Sequence, residues 1–152
     1  LLDLIKEIKG LGLKVKLDTN GTNPDMLQRL LDLGYIDYVA MDIKGTRDKY
    51  RDIVRANIDL ESIDRSIELL KGSNIDYEFR TTVVPGLMLL PELVQIGEWL
   101  SGARLYVLQQ FNPTPSLLDV RFQEVKPYGA EEIEPFVSIL GQYVQEVNVR
   151  GI

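Results

Sequence analysis

An α/β fold on a mainly parallel sheet is what this sequence predicts, and three observations predict it. Helical and strand patterns alternate along the 152 residues almost without exception. No linker, low-complexity stretch or sequence repeat breaks the alternation, so residues 1–152 read as a single domain. The strands carry one apolar and one polar parity, a pattern that strands buried on both faces do not show. Repeated strand–helix units demand parallel strands with helices packed on their outer face.

Residues 1–9 place Leu1, Leu4, Ile5 and Ile8 at helical spacing, and Gly10 ends that helix. A helix at the first residue, with neither Met nor a signal peptide, points to a chain trimmed from something longer. Residues 14–18 read as a strand, stopped by Thr19-Asn20-Gly21-Thr22. Asn23-Pro24 offers an N-cap and a proline at the first helical position. That helix runs through Leu27, Leu30 and Leu31 to Gly34. Residues 38–43 form the next strand, and a short charged helix over 48–54 follows Gly45. Residues 62–70 are an amphipathic helix closed by Lys71-Gly72. The third strand spans 77–84 and ends at Pro85-Gly86; residues 91–100 are helical again. The fourth strand covers 105–111 and is broken by Asn112-Pro113-Thr114-Pro115. Residues 114–129 form an irregular loop with Pro115 and Pro127. A helix over 130–144 has Pro135 against its early turns, and residues 147–149 are a short last strand. Trp99, Phe136 and Tyr143 lie at core-like spacing and read as packing.

Composition narrows the chemistry. Lys plus Arg is 17 and Asp plus Glu is 23, a net charge of −6. That balance excludes a binder of phosphate backbones, so no nucleic-acid partner is expected. With no cysteine there is no disulfide, thiolate nucleophile or thiolate-held iron–sulfur cluster in this polypeptide. With no histidine, the commonest general base and metal ligand is also absent. No apolar run approaches the roughly 20 residues that span a bilayer. The expectation is a soluble, cytoplasmic chain with no membrane partner.

The apolar parity carries Val15, Leu17, Val39, Met41, Tyr77, Phe79, Leu105 and Val107, and should face the helices. The other carries Lys16, Asp18, Asp42, Lys44, Glu78, Arg80, Thr82, Gln110, Asn112, Asn148 and Arg150. A splayed, incomplete barrel with a polar hollow fits this, and so does a two-layer sandwich with one wet sheet face. Ligands in parallel α/β folds bind beyond the carboxyl ends of the strands, where these polar groups gather. Asp18 and Asp42 are expected at matching height on neighbouring strands. They would repel unless a cation or a Lys or Arg sat between them; Lys44 could serve, or a small hard cation. Alternatively, Asp18 caps the following loop as an Asx turn. Arg80 needs an anion, either Glu78 two residues away or a substrate carboxylate or phosphate.

Four stretches in order, each at a strand end, resemble radical SAM enzymes. They are residues 15–21 (VKLDTNG), 37–44 (DYVAMDIK), 77–86 (YEFRTTVVPG) and 106–111 (YVLQQF). The chain is most similar to activating enzymes of glycyl radical proteins, especially anaerobic ribonucleoside-triphosphate reductase activating proteins, with pyruvate formate-lyase activating enzymes as near relatives. The resemblance implies a partial (β/α)6 TIM-like barrel lacking its first two strands. The family's CxxxCxxC loop and GGEP motif do not occur, so the chain corresponds to the C-terminal two-thirds of that barrel and cannot hold a [4Fe–4S] cluster. By resemblance, Asp18, Thr19, Asp42 and the Ile43 carbonyl match a monovalent-cation site beside the S-adenosylmethionine (SAM) carboxylate. Asn20 belongs to the same strand-end loop. Lys44 and Arg80 match positions around the methionine moiety. Gln110, Phe111 and Asn112 match the strand end flanking ribose and adenine; the pyruvate formate-lyase activators have His where Asn112 stands. The intact enzyme would reductively cleave SAM and generate a glycyl radical on its partner, drawing its electron from a donor such as flavodoxin or ferredoxin.

Two other readings stay open on the residues alone. One is a non-redox α/β binding or regulatory module using the same hollow. The other is an Asp/Lys-dependent lyase or isomerase with Lys44 as a Schiff-base nucleophile. An edge exposed by the missing strands would favour pairing with a second copy of the chain.

Overall fold

The computed structural model describes residues 1–113 and 119–152. Residues 114–118, which include Pro115 and the start of the expected loop, lie outside the described residues. The elements in order are α1 (Leu2–Gly10), β1 (Lys16–Thr19), α2 (Pro24–Asp32), β2 (Tyr38–Asp42), α3 (Tyr50–Val54) and α4 (Leu60–Lys71). Then come β3 (Asp76–Val83), α5 (Leu90–Trp99), β4 (Leu105–Gln110), a 3₁₀ turn over Val120–Phe122, α6 (Ala130–Leu140) and β5 (Glu146–Arg150).

Where boundaries differ from expectation, capping explains it. α4 starts two residues before Ser62 because Asp59 is its N-cap, accepting hydrogen bonds from the Glu61 amide (3.1 Å) and the Ser62 hydroxyl (2.8 Å). α6 ends at Leu140 rather than Val144, since Gly141 to Tyr143 close a turn onto the last helical carbonyls. Pro135 lies inside α6 at an exposed position.

The five strands are all parallel, in the spatial order β1-β2-β3-β4-β5. Crossovers of one hand in an unreversed order keep every helix on one face. Twist then curls the other face into a hollow, giving a partial barrel. Four strands remain when two are taken from six, so β5 is a fifth, added along the far edge.

Between sheet and helices lies one core. Val39, Met41, Phe79, Tyr106 and Leu108 from the sheet meet Leu30, Ile63, Ile67, Leu70, Leu93, Ile96 and Leu140 from the helices, all essentially without solvent exposure. Each such side chain contributes about 1.5–3 kcal/mol through burial. Trp99, Phe136 and Tyr143 pack against the edge of this core.

Register corrects the expected parity of β4. Phe79 stands opposite Tyr106, and Arg80 opposite Val107. Tyr106, Leu108 and Gln110 therefore face the helices, and Leu105, Val107 and Gln109 face the hollow. β4 is apolar on both parities, so its alternation carries no phase; only pairing with β3 supplies it.

Candidate functional site

The turn after β1 is capped by two side chains. The Thr19 hydroxyl oxygen accepts from the Gly21 amide (3.1 Å), and Asn20 Oδ1 accepts from the Thr22 amide (3.1 Å) and hydroxyl (2.8 Å). Gly21 has φ +76, and a Cβ there would lie 2.1 Å from Met41 Cε. Its carbonyl accepts a 2.8 Å bond from the buried Ser66 hydroxyl. Because Thr19 and Asn20 cap the turn, Asp18 is not its Asx residue, contrary to one expectation. Its carboxylate is free to face the hollow.

Asp18 pairs in register with Ala40, and Asp42 with Arg80. Asp42 thus stands two residues above the level of Asp18, not at matching height. Arg80 spans the offset: Nε donates to Asp42 Oδ1 (2.8 Å) and Nη1 to Asp18 Oδ1 (3.4 Å). The cation between the two carboxylates is therefore an arginine, Arg80, rather than the candidate Lys44. Lys44 Nζ instead lies outside the pair, donating to Asp42 Oδ2 (2.9 Å). Lys16 Nζ flanks Asp18 at 3.3 Å. The result is a belt of alternating sign: Lys16, Asp18, Arg80, Asp42, Lys44. Burial alone would raise the Asp42 pKa, but hydrogen bonds from Lys44 and Arg80 outweigh it and hold the carboxyl below its ordinary value.

A second charged group lies beneath the belt. Glu78 has no solvent exposure. Arg150 grips it with both nitrogens, Nη1 to Oε1 (2.7 Å) and Nη2 to Oε2 (2.5 Å), and the Tyr38 hydroxyl donates to Oε2 (2.8 Å). Glu78 is thus the partner of Arg150, not of Arg80. Burial pushes its pKa up; the bonds from Arg150 and Tyr38 more than offset this, and the net shift is downward. Tyr38 is pushed up to about 12 by burial and by the adjacent Glu78.

The end of β2 is held from behind the sheet. Tyr106 donates to the Thr81 hydroxyl oxygen (2.8 Å), which donates to the Ile43 carbonyl (2.8 Å). The Ile43 amide donates to the Arg80 carbonyl (2.7 Å). The Ile43 carbonyl expected to face a cation is thus already engaged on the core side. Burial raises the Tyr106 pKa, so this chain of hydroxyls stays protonated.

At the end of β4, Gln110 faces the helices, where its Nε2 donates to the Tyr128 carbonyl. Phe111 is buried, edge-on to Phe122 with ring centroids 6.4 Å apart, and Asn112 is exposed. Gln109 shares the hollow face with Thr82 and Arg150. Sequence reasoning therefore missed Gln109, Tyr38 and the Glu78–Arg150 pair as site residues. No local signal in β4 could have found Gln109, because only the register with β3 gives that strand its phase. Among the described residues, no group of three or more His, Cys, Asp or Glu is placed to hold a metal ion, and no helix is long and apolar enough to cross a membrane.

Comparisons with known proteins bear on the family and the fold. A curated protein of Methanocaldococcus jannaschii, provisionally named a glycyl-radical enzyme activating enzyme, is 33% identical over 156 residues. The match covers all of this chain but 65% of the archaeal protein, so the chain spans just under two-thirds of that relative's length. The crystal structure of a domain of pyruvate-formate lyase-activating enzyme from Bacteroides vulgatus superposes with a TM-score of 0.71 at 15% identity. That likeness covers 99% of this chain and 89% of the other, and it establishes the fold. The Radical SAM superfamily model matches residues 1–92, the part that carries the Asp18 and Asp42 strand ends and Arg80. On these grounds the chain belongs to the Radical SAM superfamily.

Proposed function

We propose that this chain is the SAM-holding, C-terminal two-thirds of the barrel of a glycyl-radical activating enzyme. The observation that supports this reading is the meeting of Asp18 and Asp42 from the carboxyl ends of β1 and β2, Lys44 just beyond β2, and Arg80 from the middle of β3 in one hollow. The belt presents both signs side by side, with the Lys44 and Asp18 side chains 44% and 59% exposed. That donor and acceptor set suits the zwitterionic amino-acid end of SAM. Lys44 and Arg80 would take its carboxylate, and Asp18 and Asp42 its ammonium. Thr19 and Asn20 shape the turn that presents Asp18. Phe111 and Asn112, joined by Gln109 in place of Gln110, would flank the adenosine. A monovalent cation beside Asp18, Thr19, Asp42 and the Ile43 carbonyl would add a charge to the belt, with the Arg80 guanidinium kept between the two carboxylates. SAM, when bound, supplies the sulfonium carbon–sulfur bond on which the family's chemistry depends.

The residues present do not fit a [4Fe–4S] cluster. The chain has no cysteine, so it offers no thiolate to hold one. The proposed partners are a glycyl radical protein, such as anaerobic ribonucleotide reductase or a formate-lyase, and an electron donor of the flavodoxin or ferredoxin class. Both would act on the longer enzyme, in the cytoplasm.

Amide NMR during titration with millimolar SAM tests the proposal. Affinity for this chain alone should be weak, because the ligands of the cluster are not in it. Shifts should concentrate at residues 18–20, 42–44, 80–82 and 109–112, and Asp42→Asn with Lys44→Ala should abolish them. No shifts, or shifts gathered elsewhere, would refute the assignment. Equal shifts from methionine and adenosine supplied separately would instead favour a non-redox binding module.

A further inference from the structure

Glu78 and Arg80 lie two residues apart on the hollow-facing side of β3. Neighbours on one face of a strand stand about 7 Å apart. Side chains of this length can meet across that gap, yet these two do not. Arg80 turns to Asp42 and Asp18, and Glu78 is filled by Arg150 and Tyr38. Arg150 comes from β5, two strands away, and reaches past β4 to do so.

A fully buried carboxylate that lost Arg150 would have to find another cation or take up a proton. Two cations are near. Lys16 Nζ is 4.0 Å from Glu78 Oε1, but it already serves Asp18. Arg80, with its planar fork, is the better match for the two oxygens that Arg150 now fills. Turning toward Glu78 would take Arg80 off Asp42 and leave Asp18 and Asp42 without the cation between them.

We infer that Arg150 is a positioning residue: by saturating Glu78 it keeps Arg80 on Asp42 and so holds the belt in its ligand-facing arrangement. What the belt binds rests on the reading proposed above; the positioning itself does not.

The test uses the Nε–Hε signal of Arg80 in the ¹⁵N-labelled chain without ligand, assigned with Arg80→Lys. In the unaltered chain, where Nε donates to Asp42, that proton should exchange slowly. Arg150→Gln should move the signal and speed its exchange at least fivefold. Adding Glu78→Gln should return both to their original values, because no buried charge is left to draw Arg80 away. An unchanged Arg80 signal in Arg150→Gln, or a double variant that behaves like the single one, would overturn the inference. A purely stabilising role would lower the melting temperature and leave the Arg80 signal in place. If Arg150→Gln does not fold, Arg150→Lys keeps the charge but not the fork, and should give intermediate exchange; exchange equal to the unaltered chain would again overturn it. Because no SAM is present, failure of SAM binding and failure of this inference are read separately.

Discussion

Glu78 and Asp42 show how single carboxylates tie this fold to pH. Both have folded-state pKa values below their ordinary ones of 4.5 and 3.8. A depressed carboxyl pKa contributes stability that is present above the unfolded value and lost as pH falls through the folded one. The melting temperature should therefore drop on acidification below about pH 4.5. Asp42→Asn with Glu78→Gln should flatten that acid limb, as thermal melts between pH 3 and 6 would show; an unaltered slope would refute the assignment. Arg150→Ala takes the bidentate partner from buried Glu78 and costs about 3 kcal/mol even as Arg80 turns to replace it, the low end for breaking a buried pair because half of the Arg150 side chain is exposed. Gly21 is constrained differently. Its positive φ strains any side chain, and Met41 leaves no room for one. Gly21→Ala should lose about 2–3 kcal/mol in urea unfolding and displace the Asp18 turn.

Among the helices, local chemistry sets where each begins and how closely two approach. Asn23 Oδ1 accepts from the Met26 amide (3.0 Å) with Pro24 at the first helical position. Asn23→Ala should cost about 1 kcal/mol, measurable by urea denaturation. At Gly97, α5 meets α6 so closely that a Cβ would lie 2.8 Å from Leu140 Cδ2 and 3.1 Å from the Tyr143 ring. Alanine in place of glycine gains up to about 1 kcal/mol of helix propensity. Overpacking against the fully buried Leu140 costs about 1–3 kcal/mol and should win, for a net loss near 1 kcal/mol. A more stable Gly97→Ala variant would mean that α6 can shift. The segment between β2 and α3 is pinned from outside as well: Arg47 pairs with Asp64 and lies over the Trp99 ring at 5.2 Å, while Trp99 Nε1 donates to Asp64 (2.8 Å). That latch anchors the stretch that carries Lys44.

The assembled sheet has two open edges among the described residues, β1 and β5. In the segment that precedes β1 in sequence, Leu1, Leu4, Leu11 and Leu13 are each more than half exposed. Unpaired strand edges and exposed apolar side chains each favour association with another chain. The isolated 152-residue chain should therefore self-associate as its concentration rises in sedimentation equilibrium. A strictly monomeric profile at every concentration would count against this. Lys16 and Arg150 both come from edge strands, so the charged lining of the hollow depends on how the two edges are held.

The alternating helix and strand patterns, the parallel sheet, the strand-end positions of Asp18, Asp42 and Lys44 and the mid-strand position of Arg80 were all legible in the sequence. Those features rest on local periodicity, capping and turn residues, which act within a few positions along the chain. Partner choice was not legible. Arg80 lies between two carboxylates, Lys44 sits outside them, Gln109 replaces Gln110 on the hollow face, and Glu78 belongs to Arg150 on a strand 72 residues away in sequence. Each of these depends on strand register and sheet curvature. Those are set by how the whole core packs, and no window of neighbouring residues encodes them.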